Sequence, residues 1–391
     1  MWGHVHIIWD SLIGIVILTW MTYSICVIIY LNYITHKYLV PVSRDEDVGH
    51  KLLKTHEDML EKYKDREEIN VLILGGGGVR GMVPLHILAH IESVTGKKTG
   101  EIFDFIAGSS TGAISAAGLS VDDGNDGYKV SAKDLLDKYI DNIRRMFSSP
   151  LYHQLFTLFG MFAPRYLPKN KIEVLDEYLG GLTIGELKGN ILIPVYNLDQ
   201  NKLEIVKNWV ADPEKVNLNF MATDLINGAS NPPMVFCPTA FELNERKYLW
   251  IDPAVILNNP ILHVLLYVRG LFPHKKLNLV LIGNGSTNSS KYNYRYMFSF
   301  GLYGLYQYLF NAPSLNTKLY VEFVEDYLVD ANSVDQQLEF FRINSTPEEY
   351  LSASDTSKAN LDKITQFADK MLGENLVQIN EMIKVLVKEK E

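Results

Sequence analysis

Residues 71–81, VLILGGGGVRG, run from a short β-favouring apolar stretch straight into four consecutive glycines. Residues 82–94, MVPLHILAHIESV, then carry apolar side chains at helical spacing, so the order is strand, glycine loop, helix. The order recurs at 103–120, FDFIAGSSTGAISAAGLS, where an apolar strand meets a tight Gly/Ser turn and then small residues suited to a closely packed helix. Further strands are expected in ILIPVYNL, 191–198, and LNLVLIG, 277–283, with helical segments such as KDLLDKYIDNIRRMF, 133–147, between strands. Alternation of this kind implies an α/β domain with a mainly parallel sheet flanked by helices.

Two glycine-bearing turns carry candidate chemistry. Gly108-Ser109-Ser110-Thr111-Gly112 lies between an expected strand and an expected helix, the setting of a nucleophile elbow. A serine on such a turn projects its hydroxyl outward, and the helix N-terminus favours developing negative charge. Ser110, not Ser109, holds the middle of Gly-x-Ser-x-Gly. In Gly76-Gly77-Gly78-Val79-Arg80-Gly81 the glycines leave backbone N–H groups able to converge on an oxyanion. A Walker loop needs Gly-Lys-Ser/Thr at its end, and here Gly81 is followed by Met82. A dinucleotide fingerprint fits poorly as well, because a second Gly/Ser elbow stands where the next strand should offer a ribose-binding acid.

A third element is Trp250-Ile251-Asp252-Pro253-Ala254, followed by Asn258-Asn259-Pro260. The glycine loop with Arg80, the elbow around Ser110 and a later Asp ahead of Asn-Asn-Pro, in that order, resemble the patatin-like phospholipase family. Gly228-Ala229-Ser230 through Pro233 and Phe236 resembles the family's Ala-Ser-x-x-x-Pro stretch, and the likeness covers roughly residues 70 to 285. The resemblance implies a three-layer α/β/α fold and a Ser-Asp dyad, with no catalytic histidine, no metal and no cofactor. Carried onto this chain, Ser110 is the nucleophile and Asp252 its base. Gly76, Gly77 and Gly78 form the oxyanion hole, with Arg80, Gly81, Gly108 and Gly112 as supporting motif residues. Acyl esters of membrane lipids, glycerophospholipids among them, are the implied substrates.

Where the family has Asp-Gly-Gly or Asp-Gly-Ala, this chain has Asp252-Pro253-Ala254. Proline removes a donor and fixes φ, so the turn after Asp252 must be built differently. A catalytically impaired, lipid-binding adaptor is therefore the alternative reading. Other assignments are a triad with His263 or His274 as base and Asp252 as its orienting acid, and a metal pair at His86 and His90. The latter lacks a third ligand, and Asp199 and Asp224 read as turn or cap residues.

From Ser11 to Thr35 no residue carries a formal charge, and this length matches the roughly 20 residues that a membrane-spanning helix needs. A cleaved signal peptide would want Lys or Arg before the apolar run and a small-residue site after it. Lys37, Arg44, Lys51 and Lys54 follow the run and no Lys or Arg precedes it, so the positive-inside rule places the bulk of the chain in the cytosol. Sequons at Asn284, Asn288 and Asn344 would matter only on a lumenal side.

The expected organisation is a short tail, 1–10, a transmembrane anchor, 11–35, and a polar juxtamembrane stalk or helix, 36–68. A catalytic domain, 69–285, and a helical extension packed on it, 286–391, complete the chain. The aromatic segment Tyr296 to Phe310 reads as a core helix or a lipid-contacting one. The 391 residues suffice for one large α/β domain with appendages. A net charge of −9 with scattered Lys and Arg argues against a nucleic-acid partner. Two cysteines, Cys26 and Cys237, make no disulfide framework.

Overall fold

A computed structural model describes residues 2–43, 53–158, 160, 162–210, 220–285, 319–325 and 337–388. The chain opens with α1 (Trp2–Tyr38), then β1 (Val42–Ser43), β2 (Lys54–Thr55), α2 (His56–Lys62) and β3 (Glu68–Leu74). After the glycine loop come α3 (Met82–Thr95), α4 (Thr99–Ile102), β4 (Phe105–Gly108), α5 (Thr111–Gly118) and α6 (Ala132–Met146). Next are α7 (Leu151–Phe156), α8 (Lys169–Leu179), β5 (Asn190–Asn197), β6 (Lys202–Lys207), β7 (Trp209–Val210) and α9 (Ala222–Ala229). The last elements are β8 (Thr239–Leu243), β9 (Arg246–Ile251), α10 (Ile261–Leu271), β10 (Lys276–Ile282), β11 (Leu338–Ile343) and α11 (Lys358–Leu386).

The main sheet runs β1-β8-β9-β5-β4-β3-β10-β11, with β6 paired to β5. From β11 through β10, β3 and β4 to β5 every neighbour is parallel, as the strand-helix alternation predicts. Beyond β5 the character changes, because β6 and β9 join β5 antiparallel and β8 joins β9 antiparallel. The sheet is therefore mixed: β5–β6 and β8–β9 are hairpins with no helix between their strands, whereas β9 returns antiparallel to β5 only after α9.

β3 shows why there are three layers. Ile69, Val71 and Ile73 pack with α10, whereas Leu72 and Leu74 pack with α3, α5, α6, α9 and α11. All five are fully buried. A strand covered on both faces reads as a continuous apolar run rather than an alternation.

Two segments differ from their expected character. The juxtamembrane stretch reads in sequence as an exposed stalk or helix; a helix is present, α2, yet Leu53, Met59 and Tyr63 are buried, and Tyr63 packs against Phe105 and Phe272. Met59 and Tyr63 are four apart and share one face of a helical turn, a two-residue stripe that the surrounding charges mask. Lys54 is likewise no free juxtamembrane cation. Its Nζ donates to Leu187 O, Lys188 O and Asn190 Oδ1, and burial holds its pKa down to about 7.

The region past 285 is not only helical. β11 extends the parallel sheet beside β10 from Leu277↔Leu338 to Ile282↔Ile343, and α11 packs Ile364, Phe367 and Met371 into the core. The sequence of β11, LEFFRI, breaks its alternation at Phe340-Phe341, and such a short edge strand gives little signal. The aromatic segment 296–310 and Asn288 lie outside the described residues.

Met59→Ala is expected to cost about 2 to 5 kcal/mol in denaturant unfolding, the range for a buried large-to-small change. A true exposed stalk would tolerate it within about 0.5 kcal/mol.

Candidate active site

β4 and β9 line the same edge of β5 but run in opposite directions. β4 pairs with the start of β5, Ala107 opposite Leu192, and runs parallel to it. β9 pairs with the end of β5, Ile251 opposite Tyr196, and runs antiparallel. β6 occupies the other edge along Leu192–Asn197. The C-terminal ends of β4 and β9 thus point at one another across a gap of a few residues. Ser110 follows β4 and Asp252 follows β9, so the topology brings together two residues 142 positions apart.

The elbow is strained and tightly packed. Ser110 has φ 55° and ψ −121°, a conformation that non-glycine residues rarely adopt. The flanking glycines allow close approach. A Cβ on Gly108 would stand 2.1 Å from Gly112 O, and one on Gly112 would stand 2.3 Å from Leu74 O. Helix α5 therefore lies directly on β3 and β4, with Ser110 at its N-terminus. The neighbouring hydroxyl is committed elsewhere, since Ser109 Oγ donates to Leu257 O at 3.2 Å.

Asp252 is 1% exposed. Its Oδ1 accepts the Ala254 N–H at 2.8 Å, capping the short 3-10 turn Pro253–Val255. Pro253 occupies the first position of that turn, where a backbone donor would have no partner within the turn and φ near −65° suits the geometry. Proline is thus compatible with the compact turn that follows Asp252. Burial raises the Asp252 pKa to about 6, opposed by the Ser110 hydroxyl, the Ala254 N–H and the charge of Lys171. The Ser110 hydroxyl is near enough to act on this carboxylate, yet Oδ2 has no hydrogen-bond partner of good geometry. That oxygen is buried and is the unbonded acceptor of the carboxylate. With Oδ1 held by Ala254 and Oδ2 open, neither His263 nor His274 bonds Asp252.

The glycine loop closes the third side. A Cβ on Gly76 would stand 2.8 Å from Ser110 Cβ and 2.9 Å from Asn258 Oδ1, so Gly76 lies against the nucleophile. Gly77 N donates to Thr111 Oγ1 at 3.3 Å, and Arg80 Nε donates to Gly77 O at 3.4 Å. Gly78 has φ +56°, and its carbonyl accepts the Tyr139 hydroxyl at 3.0 Å. Gly81 lies beside the Thr111 side chain. Two further residues hold the loop. Asn284 Nδ2 donates to Gly76 O at 2.6 Å, and Ala353 O accepts the Val79 N–H at 2.9 Å. Asn284 reads as a sequon in sequence, but its amide is buried and already bonded to the loop. Asn344 is engaged too, accepting the Gly285 N–H at 3.2 Å.

Sequence reasoning also passed over Lys171 and Asn231, whose side chains meet beneath the Asp252 turn at 2.6 Å. Only the proximity of Asn231 to the Ala-Ser stretch offered a signal. His86 pairs with Asp369 at 2.9 Å, and no group of three metal-ligating side chains occurs among the described residues.

Gly108→Ala and Gly112→Ala are each expected to lower thermal stability by about 1 to 3 kcal/mol, because backbone rather than a flexible side chain meets the new methyl. Ser109→Ala, which gives up one hydrogen bond, should cost about 1 kcal/mol. Calorimetry on the three variants checks the ranking.

The family model for patatin-like phospholipases matches residues 72–265. Patatin-like protein 1 of Arabidopsis thaliana is 26% identical over 351 residues, 80% of this chain and 83% of that protein. Patatin-like protein 2 of Oryza sativa subsp. japonica is 25% identical over 80% of this chain and 85% of its own length. A cGAMP-activated phospholipase of Vibrio cholerae is 28% identical over 58% of this chain and 66% of its own length. The elbow around Ser110, the glycine loop and the Asp252 turn all fall inside the matched span, and the chain belongs to the patatin-like phospholipase family of lipid acyl hydrolases.

Proposed function

We propose that the chain is a membrane-anchored phospholipase of the A or lysophospholipase type, working through a Ser110–Asp252 dyad and an acyl-serine intermediate. The observation that carries this reading is the meeting of a strained serine elbow with a fully buried carboxylate that has one open oxygen. Ser110 Oγ attacks the ester carbonyl carbon and its proton passes to Asp252 Oδ2. The resulting oxyanion is received by the N–H groups of Gly76 and Gly78 and the N-terminus of α5, the Gly77 N–H joining them on release from Thr111 Oγ1, with Arg80 bracing the loop. When the tetrahedral adduct collapses, the C–O bond to the lysolipid breaks and the leaving oxygen takes the proton from Asp252. Water then attacks the acyl-Ser110 carbonyl, gives its proton to Asp252, and the fatty acid leaves as Ser110 regains that proton. The impaired-adaptor alternative rests on Pro253, whose place at the start of a compact 3-10 turn favours the catalytic reading.

The anchor is α1. Ile15–Tyr38 contains an 18-residue window, mean hydropathy 1.9, of which nothing is buried against the rest of the chain, while Ile34 near its end is buried. Ile15, Leu18, Trp20 and Ile29 are each more than half exposed. These 24 residues span about 36 Å, enough to cross a hydrocarbon core of about 30 Å. A short apolar helix sits against this window, where Tyr23 OH donates to Leu155 O at 2.8 Å and Tyr30 OH meets His153 Nδ1 at 2.7 Å. Leu151, Tyr152 and Leu155 on α7 remain exposed beside α1. We read α7 as dipping into the same leaflet, which brings the site to its lipid substrate and keeps residues 69–285, together with β11 and α11, on one side of the membrane. The cytosolic side is favoured by Lys37 at the C-terminal end of the span and the lack of Lys or Arg in residues 1–14. Nucleic acid is no partner on this reading, and the membrane lipids are.

Labelling by a fluorophosphonate probe and fatty-acid release from phospholipid vesicles should both be lost in Ser110→Ala and Asp252→Asn and kept in Ser109→Ala. Asp252 must be ionised to accept a proton, so the rate should rise with pH through about 6 and be lost below it. Retention of activity in Ser110→Ala contradicts the dyad. For the membrane, alkaline carbonate should leave the chain in the pellet, and Leu151→Ser with Leu155→Ser should cut vesicle hydrolysis several-fold while sparing a short-chain soluble ester. Equal loss on both substrates would place α7 outside the bilayer.

A further inference from the structure

Lys171 is 2% exposed, on the inward face of α8, and it belongs to no ion pair of its own helix. A buried ammonium is costly unless its donors and its charge are both answered. Its donors are answered by neutral acceptors: Ser230 O at 2.5 Å, Asn231 Oδ1 at 2.6 Å and Asn227 O at 3.4 Å. The Phe236 ring lies 4.7 Å away. Its charge is answered by Asp252, the one ionised group acting on it among the described residues. The acids nearest in sequence face other partners. Glu173 pairs with Arg145 on the outer side of α8, and Asp176 accepts the Thr223 hydroxyl.

The same contacts run to the backbone of the base. Asn231, held by Lys171 through Oδ1, donates from Nδ2 to Cys237 O at 2.7 Å and Thr239 Oγ1 at 3.1 Å. Its carbonyl then accepts the Asp252 N–H at 3.1 Å. Lys171 therefore reaches Asp252 along two routes, by charge through space and by hydrogen bonds through Asn231.

We infer that Lys171 is a positioning residue of the active site, a buried counter-charge that keeps Asp252 ionised and its turn in place while making no contact with substrate. This rests on the reading of Asp252 as the base. Burial drives both groups toward neutrality, the carboxyl upward and the amine down to about 7, and each charge holds the other against that drive. Across the range in which Asp252 titrates, around 6, the ammonium is still charged. Removing it leaves burial opposed only by the Ser110 hydroxyl and the Ala254 N–H, so the Asp252 pKa must rise and the base must lose activity first on the acid side.

The test uses the full chain and a soluble short-chain ester, so that docking on lipid plays no part. The rate is followed from about pH 5 to pH 9 for wild type, Lys171→Met and Lys171→Gln. The glutamine keeps hydrogen-bond donors without charge. We expect the acid limb to move up by about one pH unit in both variants, giving about a tenfold loss below the limb that recovers at alkaline pH. A limb that stays at its wild-type position in folded Lys171→Met overturns the inference and leaves Lys171 a structural lysine. A limb moved in Met but restored in Gln also overturns the charge role, leaving only hydrogen bonding.

If Lys171→Met folds poorly, thermal stability supplies the answer through a double-mutant cycle with Asp252→Asn. The methionine should cost less stability in the Asp252→Asn background, where the ammonium has already lost its partner. Equal costs in the two backgrounds overturn the pairing. Activity that survives in Asp252→Asn would instead indict the dyad itself, and the stability cycle would still decide whether Lys171 and Asp252 are coupled.

Discussion

The end-to-end approach of two strands along one edge of β5 is the constraint on which the site depends. A sheet of uniform parallel strands brings its loops out at one end, side by side. Here β5 keeps a parallel neighbour for its first residues and an antiparallel one for its last, so two strand ends face each other over the middle of β5. A turn leaving each end must fit in that gap. The elbow fits because glycines at 108 and 112 let α5 lie on the sheet, and the acid turn fits because proline starts a compact 3-10 turn that Asp252 itself caps.

Confinement then sets the electrostatics. Water is excluded from Asp252, which is what raises its pKa toward the working range of a general base. The same exclusion makes each remaining interaction count, from the Ala254 N–H and the Ser110 hydroxyl to the buried ammonium of Lys171. The glycine loop is held from outside the elbow by Asn284, Tyr139 and Ala353, which come from three distant parts of the chain. The region after residue 285 is thus part of what shapes the site, although it lies beyond the motifs.

Local signals were legible wherever a short stretch carries its own reason. The strand-glycine-helix units, the elbow and the apolar N-terminal helix each state their structure within about 20 residues. The antiparallel turn of the sheet at β8 and β9 was not legible as such, because a hairpin of alternating residues beside a parallel sheet has no mark of where it will pair. Met59 and Tyr63 were hidden by charged neighbours, and LEFFRI by its position after a long intervening stretch. Lys171 was hidden for a different reason. A lysine between charged residues on an amphipathic helix reads as solvent-facing, and only the fold shows which side of α8 it occupies.

The account stands or falls on where the acyl group resides during turnover. Protein quenched in acid while hydrolysing phospholipid, then digested and sequenced by tandem mass spectrometry, locates it directly. The account predicts a fatty-acyl increment on Ser110 that disappears as substrate is exhausted. Fatty acid released with no acyl group on Ser110, or with the increment on Ser109 or another residue, would contradict it.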